Sequence, residues 1–149
     1  MCVEKTPWEQ VIDFHGHTCP EIAVGYRVAQ IAARELGLRP SASAELFATA
    51  EIHSCALDAL QILNKVPFGR GNLKVNALGN HVYHFQYAGT TEGIRIRIKP
   101  EVLERVAAAH IYNNVREKQN KALEAIQYVL SLTEEAFCST VREPGWLES

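Results

Sequence analysis

Gly93-Ile94-Arg95-Ile96-Arg97-Ile98-Lys99-Pro100 changes its structural period at its last residue. In an extended chain Ile94, Ile96 and Ile98 fall on one side and Arg95, Arg97 and Lys99 on the other, which predicts a strand with one core face and one basic face. The basic face reads as the solvated side of an edge strand, or as a place for a carboxylate or phosphate. Pro100 suits a first helical turn, where a missing N–H leaves nothing unpaired. Beyond it a pattern rich in Ala, Glu, Leu and Lys predicts helix to about Leu132, with Asn113-Asn114 as a point of division.

Working back from that junction, Leu73 to Ala77 and His81 to Tyr87 also read as short strands. The reversals Gly79-Asn80 and Ala88-Gly89 predict an antiparallel meander. Pro67-Phe68-Gly69-Arg70-Gly71-Asn72 reads as a loop. Farther back, Ile22, Ala23, Tyr26, Ala29, Ala33 and Leu36 recur at helical spacing, with Gly37 as a stop. Pro40 and a Ser/Ala stretch make a connector, Ala44 to Ala50 a short buried strand, and Cys55 to Leu63 a second helix. From about residue 137 to Ser149 no periodicity is legible, and an irregular tail is expected. The fold class expected is α+β, an antiparallel sheet packed with helices, in a single domain over 1–149.

At 149 residues and 47% hydrophobic, the chain can build one substantial core. Fifteen basic against seventeen acidic residues give a net charge of −2, so nucleic acid and membrane are not expected as partners. No run approaches the roughly 20 apolar residues of a membrane span, and no signal peptide follows Met1, so a cytoplasmic location is expected. Four cysteines in such a chain read as thiols or metal ligands rather than a disulfide framework.

The chemistry concentrates in His15-Gly16-His17-Thr18-Cys19 and His53-Ser54-Cys55. Pro20 makes Cys19 the expected cap of the first helix, where the field of the helix N-terminus favours thiolate. His17 and Cys19, two apart, project to one side of an extended chain, with His15 in the same layer or on a neighbour. Cys55 likewise opens a helix, with His53 two residues before it and Asp58 placed to complement the helix N-terminus. If the fold unites the clusters, His17, Cys19 and Cys55 form a nitrogen and sulfur ligand set, with His15 or His53 as a fourth ligand. Such donors suit Zn²⁺ first, with Ni, Fe and Cu open, and disfavour Ca²⁺ and Mg²⁺. Cys19 and Cys55 read equally as buried apolar thiols.

Away from these clusters, His81 and His84 would point to opposite faces of a strand, and His110 reads as a packed or partly exposed helical residue. Tyr26 and Arg27 could line a pocket near Cys19, and Tyr26 reads equally as a core residue. Cys2 and Cys138 lack neighbouring histidines and read as incidental.

Phe14-His15-Gly16-His17-Thr18-Cys19-Pro20, Gly25-Tyr26-Arg27, Cys55-x-x-Asp58-Ala59 and Phe68-Gly69-x-Gly71-Asn72-Leu73, in this order, resemble the FmdE family, named for a component of formylmethanofuran dehydrogenase. The resemblance implies an α+β core, commonly a homodimer, a metal or active site at His15, His17, Cys19 and Cys55, and a link to C1 or cofactor metabolism. It implies catalytic roles for Cys19, Cys55 and His15, a small-molecule ligand and an oxidoreductase complex as partner. Glu21 stands where a glycine usually follows Cys-Pro, His53 replaces a more ordinary residue, and Arg70 and Asn80 occupy positions often lysine. The C-terminal zinc finger of many members is not expected here. Two other readings are a non-catalytic accessory or scaffold protein with a structural metal, and a thiol redox protein using Cys19 and Cys55.

Overall fold

The structure, a computed structural model, describes residues 4–37 and 44–147. The Pro40 connector and Cys2 lie outside the described residues.

A helix absent from the sequence reading comes first. In α1 (Pro7–His15), Pro7 occupies the first turn and Thr6 and Glu9 form a reciprocal capping box. Gly16, at φ 98°, ends it in the left-handed conformation that costs glycine least. The chain then enters α2 (Pro20–Leu36) through Cys19, whose backbone is extended (φ −153°, ψ 162°). As expected, Pro20 sits in its first turn and Gly37 caps its end.

β1 (Leu46–Ala50) leads into α3 (Ala56–Leu63), a 3-10 turn at Phe68–Arg70 and β2 (Leu73–Val75). β3 (Val82–Tyr87) and β4 (Glu92–Ile98) follow, and Pro100 opens α4 (Pro100–Ala108). The expected division of the long helix is real: α5 (Val115–Ser131) starts afresh with the Asn114 side chain accepting from Glu117 N. After α6 (Glu134–Phe137), the segment expected to be irregular forms β5 (Cys138–Pro144). It adds to the sheet beside β4, pairing Ile94 with Arg142 and Ile98 with Cys138. Every other backbone N–H and C=O of β4 would otherwise lack a partner on that side, and β5 supplies one. β4 is therefore an inner strand, not an edge.

The five strands run in the order β2-β1-β3-β4-β5. The expected β2-β3 pairing does not occur: β2 lies parallel to β1, with Ala48 beside Leu73, while the remaining pairs are antiparallel. A parallel neighbour needs a crossover, and α3 supplies it. The class remains α+β, with a mixed, mostly antiparallel sheet.

One sheet face, bearing Ala48, Ala50, Tyr83, Phe85, Ile94, Ile96 and Ile98, is buried against α2 and its neighbours. α2 lies against β3 and β4, packs between α3 and α5, and carries α1 with α3 on its other flank. Burying seven such side chains supplies the main driving force, at about 25 cal/mol per Å² of apolar surface. α2 and α3 cross tightly where Gly25 meets the backbone of Ala56.

On the opposite face, Gln86 is fully buried and organises the end of the chain. Its Oε1 accepts from Trp146 N at 2.9 Å and Leu147 N at 3.1 Å, and its Nε2 donates to Thr90 O at 2.8 Å. Gln86→Leu is expected to cost about 2 kcal/mol, because three half-buried backbone groups lose the one side chain that joins them. Chemical denaturation, with Trp146 fluorescence as the local probe, checks this: the emission should shift to the red as the segment beyond Pro144 loosens.

Candidate metal centre

The end of α1, the turn at Gly16 and the first residue before α2 bring three side chains to one point. One donor atom each from His15, His17 and Cys19 lies within 4.8 Å of the other two. His15 Nε2 stands 3.7 Å from Cys19 Sγ, and the two imidazole rings are 4.5 Å apart between centroids. The Cys19 sulfur lies near the Ile22 N–H of the helix it caps while also facing His15.

Hydrogen bonds orient both rings. His15 Nδ1 meets Asp58 Oδ2 at 2.7 Å, and His17 Nδ1 meets the Thr18 carbonyl oxygen at 3.2 Å. With Nδ1 donating in each case, Nε2 keeps its lone pair toward the shared centre. A carboxylate behind a ligating histidine fixes tautomer and ring angle and raises basicity. Asp58 sits in the first turn of α3 as expected, and its carboxylate also meets His15, whose side chain is 9% exposed.

Cys55 stands at the start of α3, half-buried and near enough to Cys19 to help raise its thiol. It falls outside the group of mutually close donor atoms, as does His53, which is exposed on the turn before α3. The thiolate-favouring field expected at Cys19 is outweighed. Burial pushes its thiol up to about 12, against the backbone N–H of Ile22, with Cys55 and Glu21 adding to the rise. Without a cation nearby the sulfur holds its proton; a coordinated cation reverses that balance.

The donor set fits a transition metal: one soft sulfur and two imidazoles, with a second thiol beside them and a carboxylate supporting one ring. It offers no cluster of carboxylate and carbonyl oxygens of the kind that hard cations need.

Tyr26 packs edge-on against Trp8, with centroids 5.1 Å apart, and Arg27 donates to Val129 O and lies over Phe137. Both serve packing. Cys138 is buried in β5, where its thiol is also raised by burial. His84 and His81 do face different surroundings. His84 lies on the outer sheet face, with its ring nitrogens 2.6 Å from Glu51 and 2.5 Å from Glu143 and Trp146 edge-on beside it. Burial pushes the Glu51 carboxyl upward, but hydrogen bonds from His84 and Asn80 hold it below its usual range. A cavity of about 360 Å³ adjoins this cluster. The partnership was not legible because Glu51, His84 and Glu143 come from three separate segments.

Among the described residues, no helix is long and apolar enough to cross a membrane.

The sequence pattern of the family described as "FmdE, Molybdenum formylmethanofuran dehydrogenase operon" matches residues 14–139. A protein of Archaeoglobus fulgidus described as "Probable S-adenosyl-L-methionine-binding protein" is 27% identical over 110 residues, covering 69% of this chain and 30% of that protein. This chain thus spans under a third of that relative's length. The crystal structure of an FmdE-like protein of tungsten formylmethanofuran dehydrogenase, from Syntrophus aciditrophicus, matches with a TM-score of 0.62 and 21% identity. The match covers 91% of this chain and 69% of that one, and is a likeness of fold.

Proposed function

The chain belongs to the FmdE family, and from that premise we propose that it is a metal-binding member using a His/Cys transition-metal site in C1 or cofactor metabolism. His15, His17 and Cys19 are the proposed ligands, which leaves a fourth position open, with Cys55 as a further donor beside Cys19 and Zn²⁺ as the first choice of ion. Ni, Fe and Cu suit the same donors. The observation that carries this reading is the convergence of three donor atoms within 4.8 Å, with Asp58 aligning His15.

An ion held there would supply Lewis acidity toward a bound carbonyl or water. The chain's own part is to hold the donors in place and limit water. The Asp58 carboxylate keeps the His15 hydrogen on Nδ1. Gly16 turns the chain so that His15 and His17 stand side by side, and the α2-α3 crossing sets Cys55 beside Cys19. A small-molecule ligand, a homodimer and an association with an oxidoreductase complex are part of the same proposal, as is a cytoplasmic setting.

Asp58→Asn tests the arrangement because it keeps size while weakening the hold on the His15 ring. Metal affinity should fall about 10- to 100-fold, measured by competition with a chromogenic chelator, while the far-ultraviolet circular dichroism stays unchanged. Unaltered affinity would count against the centre.

The adjacent Cys19 and Cys55 thiols also favour a second reading, a dithiol redox pair. Thiol counting after mild anaerobic oxidation separates the two. Loss of two thiols together in metal-free protein supports the redox reading, and retention of both opposes it. A closed four-ligand site would instead mark an accessory role, and spectra of the cobalt-substituted protein detect this as the lack of an exchangeable water.

A further inference from the structure

We propose that the recess lined by Glu21, Ser54 and His81, beside the His/Cys cluster, is a binding pocket for a small primary amine. This proposal depends on the metal-centre reading only in making that amine the centre's substrate. The cavity measures about 220 Å³ and lies between α2, the start of α3 and α4. At ~30 Å³ per water molecule, that is room for roughly seven waters or one short-chain compound. Glu21 stands two residues after Cys19 and Ser54 immediately before Cys55, so the recess is walled by the neighbours of both sulfurs.

The polar atoms lining the recess share one character. Glu21 contributes a carboxylate. His81 Nδ1 is buried and has no hydrogen-bond partner among the described residues. Burial lowers the His81 pKa more than nearby Glu21 raises it, so the ring disfavours a positive charge of its own and adds none to oppose a cationic ligand. Ser54 Oγ already accepts from Ala56 N at 3.2 Å and retains a further lone pair. An alkylammonium carries three N–H donors and no acceptor, which matches this set. A carboxylate ligand would instead meet Glu21, like against like.

Val24, Leu103 and Val106 make the rest of the wall apolar, which suits a short alkyl chain. At the mouth His110, with a side chain 57% exposed, donates from Nε2 to the Glu21 oxygens at 2.7 and 2.9 Å. That contact lies at the surface, where an incoming ammonium can replace it.

The test is calorimetric titration of the full chain with n-butylamine, butyramide and butyrate, each with metal-loaded and metal-stripped protein. Butylamine should bind at least about tenfold more tightly than butyramide, and butyrate should give no detectable heat. Glu21→Gln should weaken butylamine about tenfold while leaving butyramide nearly unchanged. Ala107→Trp, at an exposed position of α4 on the pocket's rim, should block both. Butyrate binding as tightly as butylamine, no butylamine binding at all, or butylamine affinity untouched by Glu21→Gln with butylamine still bound by Ala107→Trp, overturns the proposal. Butylamine bound by a protein that takes up no metal overturns the metal-centre reading and leaves the pocket standing. Metal taken up without butylamine binding does the reverse.

Discussion

Gly25→Ala is expected to destabilise the protein by about 3 kcal/mol and to weaken metal uptake with it. A Cβ built at Gly25 would lie 2.3 Å from Ala56 O, 2.6 Å from its Cα and 2.8 Å from its carbonyl carbon. All three are backbone atoms, so no side chain can rotate away. The helices must separate, and their starts carry Cys19 and Cys55. The sign of the effect is what decides. Helix propensity alone favours alanine over glycine by about 1 kcal/mol inside a helix. Urea denaturation distinguishes the two: a lower midpoint supports the close crossing, and a higher one says that propensity wins and the contact is looser than described.

Cys19→Ser should abolish tight metal binding, a loss of at least about a hundredfold in affinity, with little effect on folding. Cys19 is half-buried, stands at the N-terminal cap of α2, and supplies the sulfur that meets His15 at 3.7 Å. Serine keeps the volume and removes the soft donor. pH dependence gives a second check. The thiol pKa near 12 means that a proton leaves the sulfur on metal uptake, so the affinity of the natural chain should rise with pH. The part of that slope owed to Cys19 should vanish in Cys19→Ser. Equilibrium dialysis at several pH values measures both.

Much of this arrangement was legible in local sequence. Pro20 after Cys19 placed the sulfur at a helix start, and Ile94, Ile96 and Ile98 marked the buried sheet face. Asn113-Asn114 marked the break that Asn114 makes by capping α5. The helix α1 carried its own signal in Thr6-Pro7-x-Glu9 with Trp8, Val11 and Ile12 at helical spacing, and that signal went unread. Its omission demoted His15, because only the end of α1 shows that His15 sits over Cys19.

Other features had no local signal. Cys138 to Pro144 alternates too weakly to be read as a strand, and the unpaired side of β4 places it. β2 sits beside β1 because α3 returns the chain to that edge, so the glycine-marked reversal at Gly79 was real but joined strands that are not neighbours. Asp58 pairs with His15 across two helices, a contact that spacing along one helix cannot reveal. Proximity to Cys55 suggested His53, yet the turn before α3 leaves that side chain exposed.

The most direct test of the metal centre is X-ray absorption on the purified, metal-reconstituted chain at the edge of the bound ion. The result predicted is about one first-row transition ion per chain with mixed sulfur and imidazole scattering, near 2.3 Å and 2.0–2.1 Å if the ion is zinc, the sulfur contribution falling in Cys19→Ser. A chain that binds no such ion, or an ion surrounded by oxygen alone and indifferent to Cys19→Ser, would contradict it.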